Sequence, residues 1–142
     1  MITLPKLKTH SLTYLTGATK IIYGVVPGLS KAAYHAKLAD VERFSTMLLD
    51  LNSLIKPRLS VMDAVVGMEG NGPSAGSLRN IGAILAGTDH IAVDVVASSL
   101  VGFKPLDVTT IKAAVSYGLT LGRLEYVDVV GEPVDNLSLI HI

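Results

Sequence analysis

Residues 58–87 read "RLSVMDAVVGMEGNGPSAGSLRNIGAILAG", and the way this stretch divides decides the fold. Its first part, "RLSVMDAVV" (58–66), is an apolar run that follows Lys56-Pro57, the pattern of a strand buried on both sides of a sheet. "NIGAILAG" (80–87) is a second run of the same kind. Between them Gly67, Gly70, Gly72, Pro73 and Gly76 form a loop. Glycines permit positive φ angles and close backbone approach, and successive amides in such a loop can converge on an anion. The same residues also suit a plain wide turn. "GNGPSAG" is one residue longer than the dinucleotide fingerprint and lacks the lysine and hydroxyl of a Walker loop, so neither nucleotide motif is met. Asp63 is expected at or near the carboxyl end of the first strand, where α/β sheets commonly place ligands.

On either side of this stretch the period changes to that of a helix. In "DVERFSTMLLDLNSLIK" (40–56), Asp40 is the expected N-cap, and Val41, Phe44, Met47 or Leu48, Leu51 and Ile55 share one face. "TDHIAVDVVASSLVG" (88–102) predicts a helix capped by Thr88 or Asp89, with Gly102 past its end. "GLSKAAYHAKL" (28–38) and "DVTTIKAAVSYG" (107–118) predict two more, capped by Ser30 and Asp107. "ITLPKLK" (2–8) reads as a strand kept to a sheet edge or strand end by Pro5, and residues 11–27 as a turn entering a short helix. "LEYVDVVG" (124–131) reads as a closing strand. Strands alternating with helices predict an α/β fold, a layered mixed or parallel sheet flanked by helices, as a single domain over residues 1–136. Both ends read as cut. "LSLIHI" (137–142) matches the translation of a sequencing-adaptor end, so those residues, His141 included, are set aside as a scar.

Composition narrows the function classes. Formal net charge is zero, which speaks against a general nucleic-acid binder. The chain contains no cysteine, which removes disulfides, thiolate catalysis and thiolate-held metal or iron–sulfur centres from it. No stretch is long and charge-free enough to span a bilayer; the nearest, 81–102, is broken by Asp89, His90 and Asp94. A cytoplasmic location is the expectation. There is no Gly-x-Ser-x-Gly elbow and no His-Glu-x-x-His, and Ser74 and Ser98 have no evident base.

Two sets of residues could carry chemistry besides the glycine loop. Strand alternation would put Lys6, Lys8 and His10 on one face and Leu7 on the other, with Lys20 following. Lys31 and His35, four apart, share a helical face. Such a set suits a carboxylate or phosphate ligand, with His10 or His35 as the candidate proton-transfer group, although single lysines are ordinarily solvated. Asp94 falls inside an apolar helix, where an unpaired carboxylate is costly, so it must meet a cation, a hydrogen-bond donor or water. A structural bond to neighbouring backbone satisfies that need as well as a ligand does. A divalent metal held by Asp63, Asp94 and His10 is a third reading.

"LPKLKTHSLTYLTGATKIIYGVVPGLSKAAYH", "MDAVVGMEGNGPSAG" and "AGTDHIAVDVVASSLVG" together resemble the domain-of-unknown-function 362 family in order and spacing, over nearly all of residues 2–131. The resemblance points to Lys6, Lys8, His10, Thr16, Gly17 and Lys20, then Lys31 and His35. It points next to Asp63, Gly67, Gly70, Gly72, Pro73 and Gly76, and lastly to Asp89 and Asp94. Ile21 stands where the family often has asparagine, and His90 where proline is common. Members often carry a ferredoxin-like module with cysteine motifs. The resemblance therefore implies an iron–sulfur association through a neighbouring module, the cluster lying outside this cysteine-free chain. The expected function is an α/β ligand-binding core that holds an anionic small molecule or cofactor through the Lys/His cluster and glycine loop, with redox-linked catalysis as an extension. The competing expectation is a noncatalytic scaffold that docks a ferredoxin-like domain.

Overall fold

The computed structural model describes residues 1–38 and 40–137. The strands are β1 (Ile2–Thr3), β2 (Lys6–His10), β3 (Tyr14–Thr16), β4 (Leu59–Glu69) and β5 (Ser77–Gly87). The helices are α1 (Gly28–Lys37), α2 (Val41–Ile55), α3 (His90–Leu100), α4 (Thr109–Ser116) and the short α5 (Val134–Leu137), with 3₁₀ turns at Lys20–Val25, Pro105–Asp107 and Leu124–Tyr126. The five strands form one mixed sheet around β4. Along one side of β4 lie β1 and β2, both parallel to it, with Ile2 opposite Leu59 and Lys6 opposite Asp63. Along the other side β5 runs antiparallel, from Ser60 opposite Gly87 to Glu69 opposite Ser77. At the far edge β3 pairs antiparallel with β2, placing Thr16 opposite Lys8.

β2 is interior, between β4 and β3, whereas β1 pairs with β4 alone, and Pro5 sits at a strand end as the sequence reading expected. Pro5 has no donor and falls in the break between β1 and β2, where its carbonyl still accepts the Asp63 amide at 2.9 Å. Only the donor side of the ladder is lost. One face of the sheet carries the core: Leu7, Leu15, Met62, Ala64 and Ala83 pack with Val93, Ala97 and Leu100 of α3 and Ile111 of α4. Each fully buried aliphatic side chain there is worth about 1.5–3 kcal/mol. A second cluster joins Tyr23 and Val26 to Phe44 and Leu48 of α2. The opposite face is open around Lys6, Asp63, Val65 and Ile84, the last 68% exposed.

Several boundaries differ from the sequence reading. β4 runs to Glu69, so Asp63 lies mid-strand and not at the carboxyl end. Gly67 continues the strand opposite Arg79, because a Cβ there would press on Ile81 Cδ1 at 2.6 Å and glycine relieves it. The Asp40 and Asp89 caps form as expected. Helix α1 starts at Gly28 with no side-chain cap from Ser30, and α4 follows Val108, since Asp107 belongs to the preceding 3₁₀ turn. "LEYVDVVG" forms no strand: Leu124–Tyr126 coils into a 3₁₀ turn and Val130 is 90% exposed. The sequence reading also missed β3. Of the suspected terminal scar, residues 138–142 lie outside the described residues.

Candidate anion site

The segment from Thr16 to Lys20 is the keystone of the site. It leaves β3 at Thr16, opposite Lys8, and enters the first 3₁₀ turn at Lys20. Asp94, 2% exposed on α3, reaches it from below: Asp94 Oδ1 accepts the Ala18 amide at 2.6 Å and Oδ2 the Thr19 amide at 2.9 Å. Gly17 permits this approach, because a Cβ at that position would overlap the Asp94 carboxylate. Burial pushes the Asp94 carboxyl above its ordinary range, opposed by the amide and hydroxyl of Thr19, the Ala18 amide and the His90 ring. Asp94 thus meets the donors its burial demands, and they are backbone. Thr19 is held from its other side as well, its carbonyl accepting Asn52 Nδ2 at 2.8 Å.

On this anchored segment sit two groups with no such satisfaction. The Thr16 hydroxyl is buried and has no hydrogen-bond partner. Lys20 is partly buried, and its pKa is pulled from 10.5 down to about 8, by burial first and by the charge of Lys8 second. Lys8 stands on β2 opposite Thr16 and donates from Nζ to the Pro73 carbonyl at 3.2 Å. That bond ties it to the glycine loop. Lys8 thus stands opposite Thr16 and its charge acts on Lys20, and among the described residues no carboxylate forms an ion pair with either ammonium.

The loop's glycines serve close contact with β2. Thr9 Oγ1 donates to the Gly70 carbonyl at 3.0 Å, and a Cβ at Gly72 would overlap the Thr9 carbonyl. Gly70 has φ +75°, and a Cβ at Gly76 would overlap the Glu69 carbonyl. The amides of Gly72 and Ala75 are spent on Gly70 and Asn71 within the loop. The loop thus shapes and closes the end of β2, and Pro73 opens no helix.

The other residues singled out from sequence lie as follows. Lys6 pairs with Asp63 at 2.7 Å on the open face, both about half exposed, and Asp63's carboxyl is held low chiefly by Lys6 and the Val65 amide. Lys31 stands 5.9 Å over the Tyr23 ring, and its carbonyl accepts the Tyr23 hydroxyl at 3.0 Å. His10 Nδ1 accepts the Leu12 amide at 3.1 Å, so the neutral ring carries its proton on Nε2. The side chain of His35 is outside the described residues. Asp63 on the open face and Asp94 inside the core form no common centre with His10, and among the described residues no three His, Cys, Asp or Glu side chains could hold a metal ion.

One network escaped the sequence. Thr3 Oγ1 lies 2.6 Å from Ser60 Oγ, which lies 2.6 Å from His90 Nδ1, while His90 Nε2 contacts the Pro57 carbonyl at 2.9 Å. A carbonyl only accepts, so Nε2 carries the hydrogen and Nδ1 of the neutral ring accepts from Ser60. The partners are 30 and 57 positions apart, a separation no local pattern signals. With Thr3 and Ser60 buried and His90 half-buried, this network joins β1, β4 and α3. A cavity of about 690 Å³ lies elsewhere, between β5, α3 and residues 120–137, and neither lysine of the anion site lines it.

Comparison with known proteins agrees with the blocks that build this site. The family model described as "Domain of unknown function (DUF362)" matches residues 1–99, which contain the β2 lysines, the Thr16–Lys20 segment, the glycine loop and Asp94. The chain belongs to this family. A relative, the thylakoid-associated protein of Synechocystis sp. (strain ATCC 27184 / PCC 6803 / Kazusa), is 35% identical over 144 residues, covering 98% of this chain and 45% of the relative. This DUF362 chain thus spans less than half the length of that relative. No solved structure matches it.

Proposed function

We propose that this DUF362 domain binds an anionic small molecule or cofactor between Lys8 and Lys20, with the Thr16 hydroxyl as a third contact and the glycine loop as the wall that holds Lys8. The observation that carries the reading is Lys8 standing across from Thr16, whose buried hydroxyl lacks a partner, with the Lys8 charge felt at Lys20. Placing like charges together costs free energy, and an anion between them returns it. Asp94 serves by positioning: it holds the segment that presents Thr16 and Lys20. His10, on the same strand as Lys8, is the proposed proton-transfer group should the ligand react. Lys6 and Asp63 flank the site as an ion pair on the open face.

Thermal unfolding in phosphate or a dicarboxylate, against chloride at equal ionic strength, tests the proposal. Binding at a hundredfold excess over Kd would add about 2.7 kcal/mol of stability. Lys8→Ala should abolish the shift and His10→Ala should diminish it. An unchanged midpoint in the parent protein would reject the reading.

The open sheet face favours a second reading, a scaffold that docks a ferredoxin-like domain. Parallel pairs such as β1–β4 and β2–β4 are usually covered on both faces, yet here Val65 and Ile84 are 43% and 68% exposed. An iron–sulfur cluster would then belong to the docked module, since this chain has no cysteine. The proposed location is the cytoplasm. No described helix is long and apolar enough to cross a membrane, and the relative's name associates that relative with a thylakoid.

A further inference from the structure

We infer that the slot between β5 and residues 126–130 is a docking site for an extended peptide of a partner protein, one that adds a strand to the sheet and carries lysine or arginine beside apolar residues. Among the described residues β5 pairs with β4 alone, so the backbone groups along its other edge have no strand partner. Such an edge invites pairing unless charge, proline or a covering segment blunts it. Over residues 82–87 it reads "GAILAG", with no charge and no proline. All six of those residues line the cavity of about 690 Å³, whose opposite wall is residues 126–130. That wall, "YVDVV", is made of strand-forming residues, and Val127 has the extended dihedrals φ −107° and ψ 123°. It nonetheless enters no ladder among the described residues. Two strand-forming segments thus border one cavity, each lacking the neighbour that a strand laid between them would supply. At about 4.8 Å between strands, 10 Å through the sheet and 3.4 Å along it, a strand residue fills roughly 160 Å³, so the cavity takes about four residues.

The lining sets the chemistry of the peptide. Val96 and Leu100 of α3 and Val134 and Leu137 of α5 line the cavity, surfaces that suit apolar side chains on alternate residues of a strand. Its charged lining residues are all carboxylates, Asp89, Asp128 and Glu132, with no lysine or arginine among them. Asp89 is committed to the Ile91 and Ala92 amides, and Glu132 accepts a neutral donor, Asn136 Nδ2, at 2.6 Å. Asp128 and Glu132 therefore set the preference for a basic peptide over an acidic one. A second copy of this chain fits less well, because the same edge, "GAILAG", brings no cation to meet these carboxylates. Neither Lys8 nor Lys20 lines the slot, so it stands apart from the anion site.

Fluorescence anisotropy of a labelled peptide, Lys-Val-Thr-Val-Lys-Val, titrated with the full chain at low ionic strength tests this. Binding should saturate. Replacing the central threonine by proline removes a backbone donor, and replacing both lysines by glutamate reverses the charge; each change should weaken binding about tenfold or more. Asp128→Asn combined with Glu132→Gln should weaken the lysine peptide about threefold or more. Hydrogen exchange locates the contact: at saturating peptide, amides within 82–87 and within 126–130 should slow together about tenfold or more, and those of residues 16–20 should not change. Absence of saturable binding, equal affinity for the lysine and glutamate peptides, or protection missing from either segment would overturn the inference. So would protection of 82–87 that grows with protein concentration in the absence of peptide, a result that assigns the edge to a second copy.

Discussion

Asp63 and Asp94 both interrupt apolar runs, and the fold treats them in opposite ways. Asp63 lies on a strand, where alternation turns it to the open face, and there it meets Lys6 in solvent. Asp94 lies on a helix whose residues 93–98 are all buried, so no rotation could have exposed it. It is bound by two backbone amides instead of a cation. An exposed ion pair contributes little, whereas a buried carboxylate that satisfies two buried amides is strongly coupled to the structure around it. The functional consequence follows from that inequality: Asp94 positions the Lys20 segment, while Asp63 decorates the sheet.

The comparison breaks first, and most severely, at Asp94. Asp94→Ala leaves the Ala18 and Thr19 amides buried without an acceptor, a loss of about 3 kcal/mol or more that urea unfolding would read. Asp94→Asn keeps one acceptor oxygen and should fall between the two. Next, Gly17→Ala should cost about 1–3 kcal/mol, because its Cβ collides with the same carboxylate; a neutral outcome would deny the close approach on which the site depends. A third effect is a pH dependence. The folded pKa of Lys20 lies below its unfolded value, so the unfolded chain binds more protons between about 8 and 10.5 and stability rises with pH across that window. Thermal midpoints at pH 8 and pH 10 should show this rise in the parent protein and lose it in Lys20→Met.

The smallest effect belongs to Asp63→Asn, about a degree or less in midpoint and absent in high salt. Its pH signature has the same sign as that of Lys20, stability rising with pH, but lies in the acid range. The carboxyl is held low when folded, so its contribution is present above the ordinary carboxylate pKa and is lost as pH falls through the lowered value. A large Asp63 effect beside a small Asp94 one would reverse the ranking and the reasoning behind it.

Periodicity made much of the fold legible. The helix from Val41 to Ile55 and the strand pair around the glycine loop follow from apolar spacing and from Asp40 and Asp89 as caps. The failures have physical causes. "YVDVVG" has strand-forming residues, but a strand also needs a partner backbone, and Val129 and Val130 remain unpaired and exposed. β3 is only three residues long and opens on Tyr14 at φ +63°, which hides its alternation. Within the site, the basic residues were visible as charges, but their pairing was not. β3 folds back along β2, and the Lys8 charge is thereby felt at Lys20 beyond the end of β3. That Thr16 lacks a partner is a property of packing, and no sequence pattern encodes it.

The central claim, that Lys8 and Lys20 form a strained cationic pair awaiting an anion, is tested most directly by titrating the lysine side chains by nuclear magnetic resonance with and without phosphate. The account predicts one lysine, absent from the spectrum of Lys20→Arg, that titrates near 8 and moves upward as phosphate is added. A Lys20 resonance that titrates at the ordinary 10.5 and ignores phosphate would contradict it.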